Sequence, residues 1–140
     1  MSALLTDPRY QAGIALFNQR QFYACHDVFE ALWHEAIEPD RTFLQGVLQI
    51  AVGLHHLSNS NRRGATILLG EGCARLQDYQ PDYATVDVSH LLAQSRQVLQ
   101  ALQGLPSEDC GEAIVIGLGL RAGTAPSLPC PQLCLQTSGV

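Results

Sequence analysis

Apolar residues recur every three or four positions through the first hundred residues, which is the spacing of one face of an α-helix. Capping residues and prolines divide this stretch into five helical segments. We expect the helices to begin at or just after five positions: Asp7, Phe22, Asp40, Asn61 and Asp87. The second helix should end before Pro39 and the fifth before Gly104, where helix-breaking residues occur. Strand patterns are nearly absent, so the predicted fold is all-α, a compact five-helix bundle over residues 1–104.

The composition changes after Gly104, and the helical spacing ends there. Residues 105–140 contain four prolines, five glycines and three cysteines. Residues 113–120 have the apolar composition of a short strand, but a lone strand has no partner for its backbone groups. We therefore expect a tail at 105–140 that is irregular or poorly ordered.

Composition limits the chemistry that the chain can perform. Its 140 residues are 46% hydrophobic and 15% charged, which suits one globular domain. All eight basic residues are arginine, so Schiff-base chemistry, a P-loop lysine and a lysine general base are excluded. The net charge of −5 and the absence of a basic cluster argue against nucleic acid as a partner.

The sequence also predicts a compartment. The first eleven residues lack the apolar segment of a secretory signal, and no apolar run approaches the roughly 20 residues that span a membrane. The five cysteines have no framework spacing. We expect a cytoplasmic protein with reduced thiols and no membrane association.

One face of the second predicted helix combines apolar and polar side chains. His26, Glu30 and Trp33 stand at i, i+4 and i+7, so they form a single stripe along the helix. His34 and Glu35 are expected to point away from this stripe. A buried imidazole or carboxylate is costly without a hydrogen-bond partner, so the stripe needs partners on a neighbouring helix.

The third predicted helix offers those partners on a second face, opposite its main apolar face. The residues on this face are Gln45, Gln49, Val52 and His56. A short connection makes the two helices antiparallel, and this places Trp33 near Gln45, Glu30 near Gln49, His26 near Val52 and His56 one turn further along. The spacing therefore predicts a polar pocket between the second and third helices.

Three hypotheses for this pocket stay open. His26 and Glu30 could both ligate one divalent metal ion, although the facing amides are weak ligands for zinc or iron. The same pair could act as general acid and base on a small polar substrate. The pocket could instead be a hydrogen-bonded network without chemistry, because glutamine side chains both donate and accept.

Three strings in the chain resemble the domain of unknown function 309 family, whose signature is HxxxExxW. They are HDVFEALW at residues 26–33, FLQGVLQIAVGLHHL at 43–57 and NRRGA at 61–65. The resemblance covers about residues 15–80, with a weaker echo at 86–93. It implies a small, all-helical bundle.

The resemblance also implies which residues matter and what they do. The matching positions are His26, Glu30, Trp33, Gln45, Gly46, Gln49, Asn61 and Gly64. Members of the family have been labelled metal-dependent hydrolases, which implies catalytic or metal-binding roles for His26 and Glu30 and a divalent metal as cofactor. His56 joins this pocket from its place on the third predicted helix, not from the resemblance.

The competing expectation is a non-catalytic structural or protein-interaction module. In that hypothesis the polar network fixes the helix packing, and Gly46, Asn61 and Gly64 serve packing and capping. A small polar ligand or self-association would be compatible with either expectation.

Overall fold

The computed structural model of the chain describes residues 3–123 and 125–135, and it is mostly helical. The helices are α1 (Pro8–Asn18), α2 (Phe22–Glu35), α3 (Asp40–Ser58), α4 (Arg62–Leu76), α5 (Val88–Gln103) and the short α6 (Glu112–Gly117). Two-residue strands, β1 (Asp82–Tyr83) and β2 (Val86–Asp87), pair antiparallel between α4 and α5. Short 3-10 turns occupy Ala3–Thr6 and Gln77–Tyr79. The all-α architecture predicted from the apolar spacing is confirmed, and α6 is an addition that the five-helix prediction lacks.

Side-chain caps fix the starts of three helices. The side chains of Asp7, Asn61 and Asp87 accept hydrogen bonds from backbone N–H groups in the first turns of α1, α4 and α5. Each bond satisfies one of the donors that a helix N-terminus leaves without an intrahelical partner. These caps coincide with the predicted starting positions.

The start of α3 differs from the prediction that Asp40 caps it. Asp40 is the first residue of the helix, and its carboxylate accepts a hydrogen bond from the Tyr83 hydroxyl. Glu38 replaces it as the cap, because its two oxygens accept from the Thr42 backbone N–H at 2.7 Å and the Thr42 hydroxyl at 2.6 Å. These bonds hold the pKa of the Glu38 carboxyl below its usual value.

Helix α3 is the central element of the bundle, and ten of its 19 residues are buried. Glycines bring α3 and α4 close together. A Cβ on Gly46 would lie 2.7 Å from the Leu76 side chain, and a Cβ on Gly53 would lie 3.2 Å from the Leu69 backbone nitrogen. These glycines therefore define the side of α3 that faces α4.

The described tail, residues 105–123 and 125–135, lies against the bundle. Residues 112–117 form a helix, so the strand considered for 113–120 is wrong there. Six tail side chains are buried: Ile114, Val115, Leu118, Cys130, Pro131 and Leu133. The Asn18 side chain also exchanges two hydrogen bonds with the Leu133 backbone, at 2.8 and 3.2 Å.

The expectation of an irregular or poorly ordered tail extends to residues 124 and 136–140, which lie outside the described residues. Within the described residues, no helix combines the length and the apolar character that crossing a bilayer requires.

Candidate functional site

His26 and Glu30 form the closest polar pair of the predicted stripe. His26 Nε2 lies 2.8 Å from Glu30 Oε2, one helical turn away on α2. The imidazole side chain is 23% exposed and the carboxylate side chain 45% exposed. The pair is therefore half-buried at the surface of α2 rather than enclosed between two helices.

The second nitrogen of the His26 ring is shielded from solvent. Nδ1 is buried without a hydrogen-bond partner. An oxygen of Asp27 lies 3.4 Å from it, but outside hydrogen-bonding geometry. A general acid or base needs a nitrogen within reach of a substrate proton. In this arrangement His26 Nε2 faces the Glu30 carboxylate and Nδ1 is shielded from a substrate.

His34 approaches Glu30, contrary to the expectation that it points away. His34 Nε2 lies 3.6 Å from Glu30 Oε1, and its side chain is 63% exposed. The spacing from Glu30 is again i+4, so the three side chains follow one ridge of α2. Glu30 therefore lies between two imidazoles. A helical wheel centred on the apolar face overestimates the separation of His34 from Glu30.

Trp33 joins the end of α2 to the start of α3. The guanidinium carbon of Arg41 lies 4.1 Å from the centroid of the Trp33 ring, which is the geometry of a cation–π contact. The indole Nε1 is buried without a hydrogen-bond partner. Gln45, predicted as the neighbour of Trp33, is half-buried one turn further along α3.

Gln49 lies in a different contact from the predicted one. Its amide nitrogen donates to Glu71 Oε2 at 2.9 Å, and its oxygen accepts from Arg75 Nε at 2.9 Å. Both partners are on α4, so the prediction that Gln49 faces Glu30 is wrong. The reason is that Gly46 and Gly53 let this side of α3 pack closely against α4. Gln49 lies between the two glycines in the sequence, so its amide also faces α4.

The histidine that faces α2 is His55 rather than His56. The Tyr23 ring lies 5.2 Å from the His55 ring and 5.7 Å from the His26 ring, measured between centroids. His56 instead lies at the turn into α4, where its Nδ1 is 3.3 Å from the Asn61 amide nitrogen. Tyr23 and His55 were not among the predicted site residues, because the prediction turned a different side of α3 toward α2.

The positions assigned to capping and packing lie at the two ends of the α3–α4 pair. Asn61 Oδ1 accepts from the Gly64 N–H at 3.0 Å. A Cβ on Gly64 would come within 2.7 Å of the Asn61 side chain, so glycine leaves room for this cap. Gly46 lies near the opposite end and allows close contact with Leu76.

The donor set for a metal ion is small. Within residues 3–123 and 125–135, no group of three or more His, Cys, Asp or Glu side chains is placed to hold a metal ion. His26 and Glu30 supply two ligand atoms, and these lie 2.8 Å from each other. A protein site for zinc normally uses three or four protein ligands.

Residues 10–68 match the sequence model of a family described as "Domain of unknown function (DUF309)". The similarity to this family covers 59 of the 140 residues. The DUF309 segment spans most of α1, all of α2 and α3, and the first half of α4. Neither a curated protein nor a solved structure gives a match to the chain.

The DUF309 segment contains every residue assigned to the predicted pocket. It does not contain Glu71 and Arg75, which hold the Gln49 amide. The α5 helix and the tail also follow the matched segment.

Proposed function

We propose that the protein is a non-catalytic helical module that associates with a second copy of itself. The surface it uses is the α2–α3 face, which consists of Tyr23, His26, Asp27, Glu30, Trp33, His34 and Arg41. The observation that carries this proposal is the arrangement of His26, whose Nε2 contacts the Glu30 carboxylate and whose Nδ1 is buried. A hydrolase would use His26 for proton transfer. Here the His26 side chain instead forms part of the α2–α3 face.

The composition of the α2–α3 face suits a protein interface. Tyrosine, tryptophan and arginine are enriched where proteins contact each other, and all three are present here. Tyr23 is 59% exposed, although it is a large aromatic residue. The Trp33 ring and the Arg41 guanidinium are already held against each other, so little side-chain freedom is lost when they are covered.

The charges on the α2–α3 face favour a second copy as the occupant. The Asp27 carboxylate is 63% exposed and lies toward the start of α2. Arg41 is exposed and lies beside Trp33, toward the end of α2. If two α2 helices pack antiparallel about a two-fold axis, Asp27 of each copy approaches Arg41 of the other. A two-fold axis makes this contact twice.

Sedimentation equilibrium with a charge-swap series tests this proposal. Asp27→Arg places like charges opposite each other and should weaken dimerisation at least tenfold, as should Arg41→Asp. The double variant restores opposite charges and should recover a substantial part of the affinity. Ile67→Asp is the control, because Ile67 is 49% exposed on α4 and should leave the dimer unchanged.

Two results would refute self-association through the α2–α3 face. One is a chain that stays monomeric up to about 1 mM, where even weak association is measurable. The other is a dimer that the single charge reversals do not weaken, or that the double variant does not recover.

The competing hypothesis is the metal-dependent hydrolase implied by the family resemblance. It requires Glu30 to leave His26 and a further donor to join them. Metal analysis of protein purified without chelator separates the two. About one equivalent of zinc, iron or manganese that is lost in Glu30→Gln would favour the hydrolase, and less than about a tenth after reconstitution would exclude it.

A further inference from the structure

A cavity of about 280 Å³ lies where the α1–α2 turn, the end of α3 and the tail meet. Its polar, charged and aromatic lining residues are Gln19, Arg20, Phe22, His55, Ser58 and Arg121. We propose that this cavity binds an oxyanion, the carboxylate or phosphate group of a small molecule. The inference does not rest on the proposed self-association.

Arg20 occupies a backbone position that favours glycine. It follows α1 with a φ of 62°, in the left-handed region. Its N–H donates to the Phe17 carbonyl and the Gln21 N–H donates to the Leu16 carbonyl, so it closes the helix where glycine is the usual residue. Glycine would form this turn without the steric penalty of a Cβ. Arginine therefore adds a side chain that the turn itself does not require.

The charge of Arg20 is not neutralised by the described part of the chain. Its Nε donates to the Leu118 carbonyl at 3.1 Å, and the ion pairs of the described residues use Arg9 and Arg121 but not Arg20. The guanidinium also lies beside the Cys130 thiol, whose pKa is raised by burial, so this neighbour is neutral. A half-buried cation without a carboxylate is unusual in a chain of net charge −5.

Arg121 forms the opposite wall and is held in place. It makes two bonds to the Glu112 carboxylate, at 2.7 and 2.8 Å. A further nitrogen donates to the Ser58 carbonyl, so the side chain ties the tail to the end of α3. This contact shapes the cavity while Arg20 supplies its net positive charge.

His55 adds a ring N–H group to the lining. Its Nε2 lies 3.2 Å from the Asn59 amide nitrogen. Because an amide nitrogen only donates, Nε2 is the acceptor and the ring proton lies on Nδ1. Together with the Gln19 amide and the Phe22 ring, the lining combines two guanidinium groups, further N–H donors and an apolar wall. The size and lining fit a small organic anion rather than a macromolecule.

Titration of the full chain with inorganic phosphate at constant ionic strength, followed by backbone and imidazole NMR, tests the site. We expect saturable shifts confined to residues 19–22, 55–58 and 118–122, including the His55 ring. A parallel titration with succinate distinguishes carboxylate from phosphate as the preferred group, and saturable binding of either one supports the site.

Arg20→Gly is the decisive variant, because glycine keeps the turn and removes the charge. It should lower the affinity at least tenfold, and Arg20→Lys should lower it less. Arg63→Ala, which removes an exposed arginine from the first turn of α4, should bind as the wild type does. Hydrogen exchange at residues 118–122 of Arg20→Gly shows whether the tail still covers the cavity.

The site is refuted if Arg20→Gly retains wild-type affinity, or if the shifts are linear in anion concentration and scattered over the surface. If the tail of Arg20→Gly opens, His55→Phe decides, since it keeps the aromatic wall and removes only the donor. An unchanged affinity in His55→Phe would then overturn the proposal, and a reduced affinity would support it.

Discussion

The Cβ position of Gly72 on α4 lies 2.9 Å from the carbonyl oxygen of Gly46 on α3. Only a hydrogen atom fits between the two backbones at this distance, so the helices meet without an intervening side chain. This contact determines which side of α3 faces α4. It accounts for the direction of Gln49 and leaves Arg41 and His55 to face α2.

Gly72→Ala should destabilise the protein by about 1–3 kcal/mol, because the new methyl group meets backbone that cannot move without separating α3 from α4. Gly70→Ala in the same helix is the matched control, since nothing lies within 4 Å of its Cβ position. Alanine there should stabilise α4 by about 0.5–1 kcal/mol. Urea denaturation of both variants measures the free energies of unfolding, and equal effects would contradict the close contact.

A double-mutant cycle tests the assignment of Gln49 to α4. Gln49→Leu should cost about 1 kcal/mol of stability, since two hydrogen bonds to charged groups are lost while both partners can still reach water. The coupling energy with Glu71→Ala should be about 0.5–1.5 kcal/mol. The coupling with Glu30→Ala should be near zero. A larger coupling energy of Gln49 with Glu30 than with Glu71 would favour the pocket that the sequence predicts.

Thiol reactivity should separate the cysteines by burial. Cys110 is exposed, whereas Cys25 is buried and its burial raises the pKa of the thiol to about 12. Since the thiolate is the reactive form, iodoacetamide at pH 8 should alkylate Cys110 within minutes and leave Cys25 unmodified. Mass spectrometry of peptides gives the site, and guanidinium-unfolded protein is the control in which all five react. Labelling of Cys25 as fast as Cys110 would show that this part of the core opens.

Acid should weaken the contact between the N-terminal turn and the end of α2. The Arg9 guanidinium hydrogen-bonds to Asp7 and Glu35 and holds the pKa of both carboxyls below their usual values. Carboxyls with lowered pKa values stabilise the fold above their ordinary pKa, and this contribution disappears as the pH falls through the lowered value.

The melting temperature should therefore fall more steeply below pH 4.5 in the wild type than in Arg9→Met. The effect is modest, because all three side chains are partly exposed. Glu38 and Glu112 also have lowered pKa values and retain their partners, so the variant should keep part of the slope. Identical pH profiles of wild type and variant would mean that Arg9 contributes nothing measurable.

Local chemistry explains why the helices could be predicted. Asp7 before Pro8, Asn61 before Arg62 and Asp87 before Val88 are capping residues that act within a few positions of themselves. The predicted cap at Asp40 was wrong, because the Asp40 carboxylate accepts a hydrogen bond from Tyr83, a residue far away in the sequence. The cap at Glu38 could have been found from its spacing to Thr42.

The candidate site was predictable only along α2. His26 and Glu30 are one turn apart on the same helix, so their contact follows from helical geometry. The partners on α3 depend on how that helix is rotated about its own axis. The spacing gave α3 one apolar and one polar face, and the prediction wrongly directed the side that carries Gln49 toward α2.

By itself the sequence determined the helical class, the positions of the helix starts and the contact between His26 and Glu30 on α2, because capping and side-chain spacing act over one or two turns. The rotation of α3, the position of Arg20 beside the tail and the burial of the His26 ring nitrogen were decided by tertiary structure alone. Their physical reason is packing at long range, where glycines far apart in the chain bring two backbones together and so direct every other side chain on the central helix.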